Sequence, residues 1–70
     1  MRYLIIIEET TTGFSAYSPD LAGCVSTGTS EASVVTNMRE AIEFHSVGLK
    51  ADGLPVPAPV SRSSYVEVAT

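Results

Sequence analysis

Seventy residues make one domain, and a domain of that size buries only about 60% of the surface its unfolded chain exposes, so stability is thin unless a partner covers apolar surface. Eight acidic residues against four basic give a formal net charge of −4. Phosphate backbones reward the opposite sign, so the composition points away from nucleic acid and towards a basic protein partner. The single cysteine, Cys24, excludes an intramolecular disulfide, and one cysteine with one histidine, His45, is too little for an ordinary structural zinc site.

The first predicted element is a strand over Arg2 to Glu9, RYLIIIEE, rich in aromatic and β-branched residues. Alternation puts Tyr3, Ile5 and Ile7 on one face and Leu4, Ile6 and Glu8 on the other. With both faces apolar, this strand is expected to be central, or covered on one side by a second subunit. Thr10 to Gly13 forms a hairpin connection. A second strand runs from Phe14 to Ser18 and ends at Pro19, which has no donor for a ladder. A compact loop, Pro19 to Gly23, leads into a short third strand, Cys24 to Thr27, closed by Gly28. Connections this short imply an antiparallel meander.

Ser30 is the expected helix N-cap, with Glu31 in the first turn, where exposed backbone N–H groups favour negative charge. Because the third helical residue is Ser33 and not Glu or Gln, a full capping box is not expected. At 3.6 residues per turn, Val34, Val35, Met38, Ala41, Ile42 and Leu49 form one apolar stripe that includes His45. Thr36, Arg39, Glu40, Glu43 and Lys50 fall outside it, the pattern of a helix laid across a sheet. Phe44 and Val47 do not fit the stripe and call for cover by the tail or another chain. Asp52 and Gly53 supply a stop. The prolines of Leu54 to Pro59, LPVPAP, hold an extended path. A polar joint, Ser61 to Ser64, precedes a final alternating strand, Tyr65 to Ala69. The fold class is thus α+β, in the order β-β-β-α-β, as one domain over residues 1–70.

Catalytic chemistry finds no support in these residues. Glu8 and Glu9 are adjacent in a strand and point in opposite directions, so they do not form an acid–base pair. Asp20 follows a proline in a turn, where local backbone capping explains it. Nothing in the sequence places His45 beside Cys24. His45 reads as a hydrogen-bonded residue at the core edge and Cys24 as a small buried hydrophobe. No glycine pattern forms a phosphate loop, and the acids lack calcium-loop order, so no cofactor or metal is expected. Leu4 to Ile7 is the longest strongly apolar run, far short of the roughly 20 residues of a membrane span, and no signal peptide is visible. A cytoplasmic, non-enzymatic binding protein is the expectation.

The segment Tyr17 to Ser30, YSPDLAGCVSTGTS, resembles the signature of HicB-like antitoxins. The resemblance continues through Asn37, Glu40 and Ala41 in the helix and through the helix exit ADGLPVPAP, Ala51 to Pro59. It covers the chain from Tyr3 to Val68. It implies a partial ribonuclease H fold and the neutralisation of a HicA-like toxin, a small basic ribonuclease that cleaves messenger RNA. Carried over by position, Pro19, Asp20, Gly23, Cys24, Gly28, Asn37 and Glu40 are the family-motif and partner-binding candidates, with Ala41, Gly53, Pro55 and Pro57 matching the helix and its exit. Two departures stand out. Ser30, Ala32 and Ser33 replace the Thr cap and first-turn Glu residues frequent in the family. The C-terminal DNA-binding domain of many members is not seen here, so no direct DNA binding is expected. The carboxylate cluster of a ribonuclease H is also missing.

Two readings remain at this level: an antitoxin that occludes its toxin, and an orphan homo-oligomer that keeps the fold without a surviving toxin. Either predicts a homodimer, with Leu4, Ile6, Phe44 and Val47 as the candidate interface, paired edge to edge about a twofold axis.

Overall fold

The computed structural model describes all 70 residues. Three strands, β1 (Ile6–Glu9), β2 (Phe14–Tyr17) and β3 (Val25–Gly28), are followed by one helix, α1 (Glu31–Ala51). The strands form an antiparallel sheet in the order β1-β2-β3. The α+β class, the meander and the single helix are as the sequence predicts.

The strands are shorter than their residue preferences suggest, because a strand lasts only as long as its partner. Tyr17 pairs with Ile6 and with Val25, and Pro19 follows closely. Beyond that row, Ser18 uses its side chain in place of a ladder: its Oγ donates to the Leu4 carbonyl at 3.0 Å. Residues 2–5 therefore run extended without a backbone partner, and the first strand is half its expected length. Ser18 N donates to the Cys24 carbonyl at 3.3 Å and Cys24 N to the Leu21 carbonyl at 3.2 Å, closing the Pro19–Gly23 loop into a tight turn. β1 is also an edge strand, not a central one.

The helix starts at Ser30, whose Oγ accepts from Ser33 N at 3.0 Å. The capping box expected to be missing is present in a shorter form: Ser33 Oγ accepts from Ser30 N at 3.0 Å. A serine hydroxyl reaches back because the turn brings it within range, so the longer Glu or Gln is not required. At the other end, Leu54 N donates to the Leu49 carbonyl at 2.9 Å and Gly53 N to the Lys50 carbonyl at 3.1 Å, a Schellman stop.

Val34 and Met38 are fully buried from the predicted helix stripe, against Ala16, Leu21 and Cys24 from the sheet side. Tyr3, Ile5, Ile7, Phe14, Ala41 and Ile42 pack around this centre and remain half-buried. The helix lies across β2 and β3 and leaves the inner face of β1 largely uncovered.

After the helix the tail crosses one end of the sheet. Tyr3 Oη donates to the Pro57 carbonyl, and Asp20 holds Val60 and Ser61. Beyond Ser61 every residue is exposed. The predicted final strand, Tyr65 to Ala69, is not formed, because no strand of this chain lies beside it to supply a ladder. The accessible surface is 5502 Å² for a mass of 7.4 kDa, against about 4,200 Å² for a compact monomer of that mass. The radius of gyration is 13.8 Å, where a compact chain of this length has about 11 Å.

Candidate partner-binding surface

Most of the motif residues of the sequence serve to build the fold. Asp20 sits in the β2–β3 loop. Its Oδ2 accepts from Val60 N at 3.2 Å and Ser61 N at 3.1 Å, and its Oδ1 accepts from Ser61 Oγ at 2.8 Å. The Ser61 hydroxyl, then the Ser61 and Val60 N–H groups, hold the carboxyl below its ordinary value, and partial burial opposes them. Asp20 thus caps backbone some 40 residues away, where the sequence suggested a local turn. Asn37 Nδ2 donates to the Thr27 carbonyl at 2.8 Å and ties α1 to β3.

Gly23 and Gly28 have separate reasons for being glycine. Gly23 takes a φ of 76°, the left-handed region that β-carbons disfavour. At Gly28 the helix start approaches so closely that a β-carbon would lie 2.6 Å from Val34 N and 2.8 Å from Val34 Cα. Pro19 is exposed and ends β2, and Glu40 is exposed on the outer side of α1.

His45 and Cys24 line one open depression of about 410 Å³ together with Val25, Phe44 and Gly48. No spacing in the sequence places these two side chains together. The chemistry of a nucleophile does not follow, because Cys24 is 4% exposed and burial raises its thiol pKa. A reactive cysteine needs the reverse, a lowered pKa with access to substrate. No group of three His, Cys, Asp or Glu side chains gathers to hold a metal ion.

The face of the sheet turned away from α1 is the stronger candidate. Residues opposite one another in an antiparallel pair share a face. Ala16 is buried beneath the helix, so its row, Ile7–Ala16–Ser26, points inward. The neighbouring row, Ile6–Tyr17–Val25, points outward. Tyr17 is 42% exposed and Val25 66%, and Ile6 is half-buried. The next outward row is polar, Glu8–Ser15–Thr27. A band of one aromatic and two aliphatic side chains is thus bordered by a carboxylate and hydroxyls on a rigid sheet. No second layer covers it. Leu4, by alternation, belongs beside Ile6.

The four interface candidates do not form one patch. Leu4 and Ile6 lie on the outer side of the sheet. Phe44, 83% exposed, borders the depression on the β3 flank of the helix, and Val47 borders a groove on the β1 flank. Sequence reasoning missed Tyr17 and Val25 as surface residues. Only the register that aligns them with Ile6 reveals the row.

Comparison with known proteins agrees with this architecture. The family model described as HicB_like antitoxin of bacterial toxin-antitoxin system matches residues 3–69. A chain of the solved HicA3 and HicB3 toxin-antitoxin complex superposes with a TM-score of 0.75 at 37% identity, over 86% of this chain and 70% of that one. A 14.9 kDa protein from the rep-hol intergenic region of Haemophilus phage HP1 is 33% identical over 66 residues, 94% of this chain. The present chain spans 50% of that relative's length. A UPF0150 protein of Helicobacter pylori is 43% identical over 49 residues, 70% of this chain and 68% of the relative.

Proposed function

The chain belongs to the HicB-like antitoxin family of bacterial toxin–antitoxin systems, and from that premise we propose that it binds and neutralises a small basic HicA-like toxin that cleaves messenger RNA. Its work is then done in the cytoplasm and by occlusion, with no bond made or broken by the antitoxin itself. The observation that carries this reading is the uncovered outer sheet face: Ile6, Tyr17 and Val25 in one cross-strand row beside Glu8. The likeness to a chain from a solved toxin-antitoxin complex supports it.

The physical roles divide along the two rows. Tyr17 at the centre of the apolar row has the features of a binding hot spot, large and rigid and with a polar tip. The net charge of −4 steers a basic partner towards the chain, contributing more to association rate and selectivity than to residence time. Covering the toxin's RNA-binding surface requires no movement in a sheet already held by α1.

The test is RNA cleavage by the HicA-like protein encoded beside this chain. Equimolar antitoxin should abolish cleavage, and the two should co-elute as a complex. Undiminished cleavage at a large excess of folded antitoxin would overturn the proposal. A second reading, a homo-oligomer without a toxin, is favoured by the surface in excess of a compact monomer. It predicts self-association together with no toxin binding.

A further inference from the structure

We propose that residues 62–70 of one copy add as a fourth strand along the free edge of β1 in a second copy, in a reciprocal exchange that makes the dimer. The arm has the makings of a strand and nothing to pair with in its own chain. Tyr65, Val66 and Val68 are 101%, 83% and 73% exposed. In an extended arm Ser64, Val66 and Val68 fall on one face and Tyr65 and Glu67 on the other.

The receiving site is equally incomplete. β1 has β2 on one side only, so its other edge presents unpaired backbone donors and acceptors, a template for another chain. Next to this edge, between α1 and the segment of residues 1–5 that leads into β1, runs an open groove of about 750 Å³ lined by Tyr3, Ile5, Val35 and Ile42. A strand added beside β1 sends alternate side chains into that groove, and Val66 and Val68 have the size and the two-residue spacing to fill it.

The route of the tail explains why the arm serves a second copy and not its own β1. Pro57 is fixed near the start of the chain by Tyr3, and Val60 and Ser61 are then held at the β2–β3 loop by three hydrogen bonds that they donate to the Asp20 carboxylate. The chain has crossed away from its own β1 before the arm begins. The size of the exposed surface agrees. The chain presents roughly 1,300 Å² more than a compact monomer of its mass, and a standard interface buries about 800 Å² per partner.

Two measurements on the 70-residue chain, with no toxin present, test the exchange apart from the antitoxin reading. Sedimentation velocity at tens of micromolar should give twice the chain mass. The V66D/V68D variant should sediment as a monomer with the same helical circular dichroism, since both side chains are exposed within their own chain. Amide exchange of Tyr65 to Val68 in the unmodified chain should slow as protein concentration rises. A wild-type monomer, a variant that stays dimeric, or arm protection independent of concentration would each overturn the proposal.

Discussion

The two sides of this small sheet are finished to different degrees. On the β2–β3 side, Ala16, Leu21, Cys24, Val34 and Met38 are all under 5% exposed, and the Asn37 and Asp20 hydrogen bonds tie helix and tail to it. On the β1 side, Tyr3, Ile5 and Ile7 stay half-buried, the strand edge is open and the arm lies free. The contrast separates what holds the monomer together from what it offers to other chains. Closed packing on one side makes it tolerable to leave the other side unfinished.

The sharpest way to break this division is to hollow out the closed side. Met38→Ala removes a side chain with no exposure and should cost about 2–5 kcal/mol, a large share of the total for a domain this small. Val66→Ala, on a residue 83% exposed, should change monomer stability by no more than about 0.5 kcal/mol. Urea unfolding of both variants at a concentration low enough to keep the chain monomeric checks the pair. Equal losses would erase the distinction.

Gly28→Ala acts at the closed seam between β3 and the helix start. The added β-carbon would meet both the Ser33 hydroxyl of the helix cap and the Val34 backbone, and the backbone contact cannot be relieved by a rotamer change, so the helix must shift. A loss of about 1–3 kcal/mol is expected, in the range of overpacked cores, read from the same unfolding curves. A neutral result would mean that the seam is looser than its geometry.

The smallest effect concerns the strap between the two sides. Hydrogen bonds from Ser61 and Val60 lower the folded pKa of Asp20, so the ionised form is favoured in the folded chain. Its contribution is fully present above the ordinary carboxylate range and is lost as pH falls through the lowered folded value. Acidification should release the Val60 and Ser61 amides, seen as a loss of protection relative to the intrinsic exchange rate at each pH, before the sheet unfolds. Asp20→Asn should leave those amides unprotected at neutral pH and remove the pH dependence of their protection.

Local signals in the sequence were enough for the helix, because Ser30 and the Asp52–Gly53 stop are short-range features and the apolar stripe has a fixed period. The meander followed from loop length. Strand ends did not, since RYLIIIEE favours extension over eight residues while β2 offers only four partners. Leu21 was missed as a core residue because it sits in a turn beside Ala22 and Gly23, where no period marks it. The Asp20–Ser61 strap joins residues 41 apart, a separation at which no spacing rule speaks. The resemblance carried the family, whereas the outward row of Ile6, Tyr17 and Val25 depended on a register that only pairing defines. The final strand was read from real alternation but assigned to the wrong context: a strand needs an edge, and this chain does not bring one to it.

On the proposed function, the outer sheet face receives a basic toxin. Isothermal titration of the HicA-like protein encoded beside this chain into the wild type and into Val25→Asp tests it most directly, with circular dichroism to show that both are folded. Saturable binding near one toxin per chain is expected, weakened at least about tenfold, or some 1.4 kcal/mol, by the substitution. Undiminished affinity in Val25→Asp would move the interface elsewhere, and no binding by the folded wild type would contradict the antitoxin function itself.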